Sequence, residues 1–341
     1  MKKTLSLLLA LSMVLVLAAC GSQNAAGGSA APSAVPSQQP ENSDAPDAAE
    51  PETITLTTRN GARETVEVEF PYDPAKVAVM DLAALDILDS ISRTDRITGV
   101  SKGSSIDYLQ TYVTDDSLLN LGTVKEADLE AVMECEPEVI FIGGRLSSYY
   151  DELIKIAPVY MVYTDSEAGV AASTAMNAKN IASLFGLEDQ VDSLLSAYDA
   201  RIQALQAAAE GQTAIVGMVN AGGFGLLGND GRCSIIGREL GFENIGVDAN
   251  VSTSTHGNEA SFEFVLNANP DYIFVMDRDA AIGSEGAQLA SEVMDNELVN
   301  KTAAAQNGHV VVLEHSNVWY TAEGGITALG IMLSDLESAL L

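Results

Sequence analysis

Two arginines lie at equivalent points of a repeated sequence pattern. Residues 128–145 (DLEAVMECEPEVIFIGGR) and 261–278 (SFEFVLNANPDYIFVMDR) match at a constant offset of 133 positions. Each copy predicts a helix, a proline at a strand entry, an apolar strand and then an arginine, which is Arg145 or Arg278. Ligands of open α/β sheets bind beyond the carboxyl ends of the strands, and a guanidinium suits carboxylate, phosphate or catecholate oxygens. We therefore predict that both arginines face one anion-binding cleft. The alternative is a surface ion pair, for example between Arg278 and Asp279.

Other reactive residue types give weaker signals. Beyond residue 20, the imidazole and thiol groups are His256, His309, His315, Cys135 and Cys233. They form no HxH, HExxH or CxxC pattern, so neither a dedicated divalent-metal site nor a disulfide is indicated. The sequence also lacks a GxSxG motif, a GK[ST] phosphate loop and the kinase motifs. We therefore expect a binding protein without an intrinsic cofactor, not an enzyme.

The segment GFGLLG at 223–228 satisfies the GxGxxG pattern of dinucleotide-binding proteins. A dinucleotide site needs a helix to begin there, so that its N-terminus can hold the pyrophosphate. Here the turn residues Asn229, Asp230 and Gly231 follow instead. This favours a glycine-rich hairpin or loop.

The charge balance excludes several classes of partner. The chain of 341 residues has 17 Lys and Arg against 48 Asp and Glu, which gives a net charge of −31. Nucleic-acid binding needs a basic surface that releases counterions from phosphates, and a polybasic membrane-surface protein needs the same excess. Both classes are therefore excluded. A hydrophobic share of 47% also excludes a chain that is disordered throughout.

The first residues are typical of a secretory signal that ends on cysteine. A lysine pair and an apolar run precede Leu-Ala-Ala-Cys at 17–20, which resembles the lipobox of bacterial lipoproteins. We expect a signal peptide over 1–19, a diacylglyceryl group on Cys20 and a disordered tether over 20–52. The protein would then be extracytoplasmic and held at the outer face of the cytoplasmic membrane by lipid alone. An ordinary signal peptide with an incidental cysteine is the alternative.

The remaining chain alternates between strand and helix patterns, which predicts parallel sheets covered by helices. A β-hairpin is predicted over 54–70 around Asn60-Gly61. Strands are predicted at 76–80, 97–100, 139–142, 159–162, 214–220, 272–276 and 310–313. Helices are predicted at 81–91, 106–112, 129–135, 147–156, 168–185, 189–209, 235–240 and 262–266, and from about 325. The fold class is α/β, with an N-terminal lobe over 53–165, connecting helices over 166–211 and a C-terminal lobe over 212–341.

Several sequence blocks together carry a resemblance to a known family. They are GVSK (99–102), LNLGTVKEADLEAV (119–132), FIGGR…YYDELIKIAP (141–158), MVNAGG (218–223), HGNEASFEFVLNANPDYIFVMDR (256–278), AAAQNGHVVVL (303–313) and WYTAEGG (319–325). In this order they resemble ferric-siderophore substrate-binding lipoproteins of ABC importers, in the class III (cluster A) periplasmic-binding-protein group. The similarity is greatest to catecholate or petrobactin-type binders and covers about residues 50–341. It implies two Rossmann-like lobes joined by a long rigid interlobe helix.

The resemblance also implies roles for individual residues. Arg145, Arg232 and Arg278 match three cleft arginines that bind an anionic ferric catecholate. His256 and Tyr320 match a pair that completes the coordination of iron when the siderophore leaves two positions open. Phenolate oxygen and imidazole nitrogen can both bind Fe(III), which would be carried as the siderophore complex.

Two acidic residues match positions that the family uses to contact its transporter. Glu130 and Glu263, one in each copy of the repeat, are expected to dock on the ABC-transporter permease dimer. Two solvated helix acids are the alternative interpretation. We expect a monomer that captures a ferric siderophore and delivers it to the permease. A haem- or corrinoid-binding protein of the same fold is the alternative function, and it would need a more apolar cleft.

Overall fold

The computed structural model describes residues 52–104, 106–246, 258–284 and 286–341, which belong to one compact unit, Glu50–Leu341. Its strands are β1 (Thr53–Arg59), β2 (Thr65–Pro71), β3 (Val77–Val79), β4 (Ile97–Val100), β5 (Leu119–Asn120), β6 (Val139–Gly143), β7 (Val159–Val162), β8 (Thr213–Asn220), β9 (Gly223–Leu226), β10 (Glu243–Asn244), β11 (Asn258–Glu259), β12 (Tyr272–Asp277) and β13 (Val310–Val312). Its helices are α1 (Leu82–Ser90), α2 (Gln110–Val113), α3 (Leu129–Glu134), α4 (Tyr150–Leu153), α5 (Val170–Ser183), α6 (Glu188–Ala209), α7 (Ser234–Arg238), α8 (Phe262–Ala268), α9 (Arg278–Ala281), α10 (Ala290–Met294), α11 (Ala303–Gln306), α12 (Ser316–Thr321) and α13 (Ile326–Leu340). No helix among these residues is both long enough and apolar enough to span a bilayer.

The first lobe contains a parallel sheet in the order β5-β4-β3-β6-β7. Every residue of β3, β6 and β7 is buried, as is typical of parallel strands that are covered on both faces. Asp81 follows β3 and begins α1, where its side chain accepts hydrogen bonds from the backbone N–H groups of Ala83 and Ala84. The predicted parallel sheet is confirmed here, and Asp81 lies at the carboxyl ends of its strands.

Two predicted helices of this lobe are only partly α-helical. The segment predicted at 106–112 is a 3₁₀ turn over Asp107–Leu109 followed by α2. The segment predicted at 147–156 is a 3₁₀ helix over Gly144–Tyr149 followed by α4. The chain turns sharply after β6, where a Cβ on Gly143 would lie 2.2 Å from Oδ2 of Asp81. This tight turn positions Arg145 directly beyond the strand.

The second lobe contains a mixed sheet in the order β11-β9-β8-β12-β13, with β10 also paired to β8. The strands β8, β10, β12 and β13 are parallel, whereas β9 and β11 are antiparallel to their neighbours. The predicted parallel arrangement therefore holds for four strands of this lobe, and the direction reverses only at β9 and β11. The cause is a tight turn at Ala221 and Gly222, with φ values of 50° and 76°, which folds GFGL back onto β8. The predicted glycine-rich hairpin is thereby confirmed.

The sequence repeat corresponds to a repeated structure. Asp128 caps α3 and Ser261 caps α8, and each helix leads to the middle strand of a parallel trio, β3-β6-β7 or β8-β12-β13. The residue before each strand-entry proline, Glu136 or Asn269, has a left-handed φ of 44° or 45°. The match therefore extends to a backbone conformation that non-glycine residues rarely adopt.

The helices α5 and α6 connect the lobes. They occupy the ranges predicted at 168–185 and 189–209, although α5 has only 14 residues and α6, with 22, is the longer. α5 contacts α1 of the first lobe and α7 of the second, and α13 returns from the second lobe to contact α1 and α6. Buried Asp86 of α1 accepts hydrogen bonds from the N–H groups of Thr327 and Ala328, at 2.9 and 2.8 Å. The largest apolar cluster includes residues of both lobes and of these helices, so the lobes share one core.

Candidate functional site

Tyr320 lies at the centre of a cluster of arginines. It belongs to α12, is 5% exposed and follows Trp319, which is fully buried. The guanidinium carbons of Arg145, Arg232 and Arg278 lie 5.2, 4.4 and 5.8 Å from the centroid of its ring. The structure therefore brings together four of the five ligand-binding residues that the sequence predicts. The fifth, His256, lies outside the described residues, as does Cys20.

Arg145 reaches Tyr320 from the opposite lobe. It stands on the 3₁₀ helix after β6, and its Nη2 donates a hydrogen bond to the carbonyl oxygen of Tyr320 at 2.8 Å. Burial lowers the pKa of Arg145, and the positive charge of nearby Arg232 lowers it further. Two like charges held together in this way favour an anion between them. The contact also places residues of both lobes at one point.

Arg232 and Arg278 come from the second lobe. Arg232 precedes Cys233, which has a left-handed φ of 60°, and its Nε lies 3.5 Å from the carbonyl oxygen of Tyr320. Arg278 follows β12 and directs its Nε to the phenol oxygen of Tyr320 at 3.4 Å. Its Nη1 forms an ion pair with Asp279 at 3.2 Å. Arg278 therefore lies beside Tyr320 and also forms the pair with Asp279 that the sequence analysis gave as the alternative.

The arginines change the acidity of Tyr320. Burial alone would raise the pKa of the phenol, but the hydrogen bond from Arg278 and the three positive charges outweigh it. The pKa of Tyr320 is therefore lower than that of an ordinary tyrosine. A phenol that ionises more readily is a better ligand for a hard cation such as Fe(III).

Two adjoining cavities open beside Tyr320. The first, of about 380 Å³, includes Arg59, Arg63, Arg145 and Arg232 in its wall. The second, of about 330 Å³, includes Lys102, Lys125, Ala281 and Ile282. Both cavities are also lined by Val124, Arg145, Tyr320 and Thr321, so they are two parts of one cleft between the lobes.

Four of these cations are not predicted from the sequence. Arg59 and Arg63 belong to the N-terminal hairpin, while Lys102 and Lys125 lie in loops of the first lobe. Only two acids, Asp81 and Glu323, line the cavities among the described residues. Burial raises the pKa of both, and that of Glu323 reaches about 7 even though Arg232 and the N–H of Cys233 act against the rise. The cleft is therefore strongly cationic.

The other described residues that the sequence analysis names do not line the cavities. Glu130 and Glu263 are exposed in the first turns of α3 and α8. His309 stacks on Tyr272 with ring centroids 4.2 Å apart. The Nδ1 of His315 lies within hydrogen-bond distance of Oδ1 of Asp335, at 2.6 Å, where Glu314 completes a small acid–histidine cluster. Both cysteines of the described chain, Cys135 and Cys233, are buried thiols without a disulfide.

Comparison with known proteins agrees with this architecture. The family model described as Periplasmic binding protein matches residues 77–316, which include the main sheet of each lobe and all three clustered arginines. The chain belongs to the periplasmic binding protein family. Its two lobes with connecting helices have the class III arrangement of that family.

Similar proteins are named as binders of iron chelates. The petrobactin-binding protein YclQ of Bacillus subtilis is 32% identical over 350 residues, which cover 100% of this chain and 99% of YclQ. The crystal structure of YclQ matches with a TM-score of 0.76, over 84% of this chain and 99% of that one. The periplasmic catecholate-siderophore binding protein VctP of Vibrio cholerae matches with a TM-score of 0.75 and 29% identity, over 84% of this chain and 100% of VctP. The ferric-anguibactin-binding protein FatB of Vibrio anguillarum is 25% identical over 268 residues, 77% of this chain and 81% of FatB.

Proposed function

We propose that this protein captures a ferric siderophore of the catecholate type and delivers it to the permease of an ABC importer. The observation that carries the proposal is the convergence of Arg145, Arg232 and Arg278, from both lobes, on Tyr320. A ferric catecholate is anionic, so fixed guanidinium groups bind it by charge and by hydrogen bonds to its oxygens. VctP, which is named as a catecholate-siderophore binding protein, supports this class, and YclQ, which is named as a petrobactin-binding protein, supports binding of a siderophore.

The charged cleft argues against the alternative of haem or a corrinoid. Those ligands need a largely apolar surface, whereas four arginines line the first cavity. The arginine pair Arg145–Arg232 holds two positive charges close together, and an anionic ligand removes that repulsion. We therefore favour an anionic iron chelate over a macrocycle.

Direct bonds to iron are part of the proposal. Tyr320 would supply a phenolate and His256 an imidazole when the siderophore leaves two coordination positions free. The lowered pKa of Tyr320 supports the phenolate, because less free energy is needed to remove its proton. A siderophore that fills all six positions would be held by the arginines alone.

Delivery needs an anchor and a docking surface. We propose that Cys20 carries the lipid that holds the protein on the outer face of the cytoplasmic membrane. Glu130 and Glu263 would contact the permease, since both are exposed at matching positions of the structural repeat. Reversing both charges to lysine should abolish siderophore uptake by cells while ligand affinity in solution stays unchanged. Uptake at the normal rate would contradict the docking role.

Fluorescence titration tests the binding function. The chain has one tryptophan, Trp319, which lines the first cavity beside Tyr320 and therefore reports on ligand entry. Titration with ferric catecholates, ferric hydroxamates, haem and cobalamin should give the strongest quenching with ferric catecholates. Quenching by haem or cobalamin at nanomolar concentration, with no response to any siderophore, would refute the proposal.

A further inference from the structure

The N-terminal hairpin lies outside the family match but forms part of the cleft. Its strands β1 and β2 pair over residues 53–71, whereas the match begins at residue 77. The hairpin forms its own two-stranded sheet and supplies Arg59 and Arg63 to the first cavity. These two cations are additional to the arginine cluster around Tyr320.

The hairpin is fastened to the edge of the first sheet. The buried hydroxyl of Thr58 accepts a hydrogen bond from the N–H of Met161 at 2.8 Å and donates one to its carbonyl at 3.3 Å. Phe70 is fully buried, and its ring lies 6.1 Å from that of Tyr160. These contacts fix the hairpin against β7, so its arginines have a defined position in the cleft wall.

The loop at the hairpin tip holds Arg63 in an unfavourable backbone conformation. Arg63 has a left-handed φ of 63°, and its N–H donates to the carbonyl of Asn60 at 2.8 Å. Gly61 packs so closely that a Cβ there would lie 2.9 Å from the carbonyl oxygen of Ser147. The Nη2 of Arg63 donates to the carbonyl oxygen of Gly144 at 3.1 Å. The turn and this hydrogen bond therefore place the guanidinium of Arg63 in the wall of the first cavity.

Arg59 has an unused hydrogen-bond donor. Its guanidinium carbon lies 4.2 Å from the centroid of the Tyr163 ring, and its Nη2 lies 3.7 Å from Oδ2 of Asp165. Its Nε is buried and has no hydrogen-bond partner among the described residues. A guanidinium has five N–H donors in a planar fork that fits a carboxylate, so both hairpin arginines retain donors for a ligand.

We propose that Arg59 and Arg63 form a second anion subsite, which binds a carboxylate that the ligand carries outside its iron-binding groups. The inference rests on the proposed function, because the carboxylate must belong to a ligand that enters the same cleft. The hairpin thereby selects among ferric siderophores by the chemistry of their backbone, while the arginine cluster at Tyr320 binds the ferric centre that all of them share.

A matched pair of probes tests the subsite. Both are ferric catecholates with the same iron-binding groups; one has a free carboxylate on its backbone, and the other has the methyl ester of that carboxylate. The variant is Arg63→Asn, because asparagine tolerates the left-handed conformation and should keep the loop intact. The control is Arg93→Asn, because Arg93 also donates to a backbone carbonyl but lines neither cavity.

Arg63→Asn should raise the dissociation constant of the carboxylate probe at least about tenfold more than that of the ester probe. The reason is that a hydrogen bond to a charged carboxylate is stronger than one to a neutral ester. Arg59→Gln should show the same selectivity, and Arg93→Asn should show none. Thermal unfolding should give the same midpoint for Arg63→Asn as for the wild type. If the variant loses equal affinity for both probes, or no affinity for either, the proposed subsite is refuted. If neither probe binds the wild type, the proposed function itself has failed.

Discussion

Replacing Glu323 by glutamine tests the charge balance of the cleft. Glu323 follows α12 and lines the first cavity, and its Oε2 is buried without a hydrogen-bond partner among the described residues. Burial raises the pKa of its carboxyl to about 7, whereas an unperturbed glutamate titrates at 4.5. Folded and unfolded chains therefore hold different numbers of protons between these two values.

The sign and size of the effect follow from this difference. Because the folded pKa is the higher, the contribution of Glu323 to stability is greatest below pH 4.5 and declines as the pH rises towards 7. The displacement from 4.5 to about 7 corresponds to about 3 kcal/mol at 1.36 kcal/mol per unit. Most of it, about 2.5 kcal/mol, falls between pH 5 and pH 8. For a folded region of roughly 290 residues this is about 4 °C in Tm.

Thermal unfolding at pH 5 and pH 8 measures the effect. Glutamine stays neutral, so Glu323→Gln should gain about 4 °C relative to the wild type on going from pH 5 to pH 8. Any destabilisation by the glutamine NH₂ group is the same at both pH values and therefore cancels in the comparison. Glu314→Gln, which changes an exposed acid that lines neither cavity, should follow the wild type. An identical pH dependence of Glu323→Gln and wild type would refute the reasoning.

Three further predictions concern the site and its supports. Tyr320→Phe removes the phenol oxygen that Arg278 contacts. In fluorescence titration it should lower the affinity for a tetradentate ferric catecholate at least about tenfold, and the affinity for a hexadentate one by less. Equal losses of affinity would contradict the role of Tyr320 as an iron ligand. Thr58→Val removes both hydrogen bonds to Met161 and should cost about 1–3 kcal/mol in urea unfolding, while an unchanged midpoint would show that the hairpin is held by other contacts. Asp335→Asn should lower the free energy of unfolding by about 2 kcal/mol or more and shift tryptophan emission, because this carboxylate accepts a hydrogen bond from the indole N–H of Trp319 at 2.8 Å. Unaltered emission would contradict this prediction.

The parts of the fold that the sequence predicts are those with a regular apolar pattern. β4 and β7 match their predicted bounds: β7 is an apolar run of four residues, and β4 begins and ends on an apolar residue. The glycines at 223–228 indicate a hairpin or loop, but they do not place its turn at Ala221, because alanine rarely adopts a positive φ. Its backbone N–H is held by Asp279 at 2.6 Å, a contact that only the folded chain creates. The antiparallel strands of the second sheet depend on that tertiary contact.

The residues of the candidate site also divide into those that the sequence predicts and those that it does not. Arg145 and Arg278 follow from the repeat, because strand ends are recognisable in sequence, whereas Arg232 and Tyr320 follow only from the family resemblance. Arg59 and Arg63 were missed because their place in the cleft depends on where the hairpin docks. That docking uses buried contacts between residues about 100 positions apart. The role of His256, outside the described residues, stays a prediction.

The distribution of charge explains how an acidic protein can bind an anion. Lys2 and Lys3 lie in the predicted signal, so 15 basic residues remain, and six of them line the two cavities, against two acids of the described chain. Exposed charges beyond about 8 Å are largely screened at physiological ionic strength, so a ligand in the cleft responds mainly to this local excess. Burial raises the pKa of both acids, Asp81 and Glu323, so they accept protons more readily than ordinary carboxylates. The arginines stay charged, and an arriving anion that raises the pKa of Glu323 further draws a proton into the cleft. Affinity for an anionic ligand should therefore fall as the pH rises above about 7, in the direction opposite to that expected from ionisation of Tyr320.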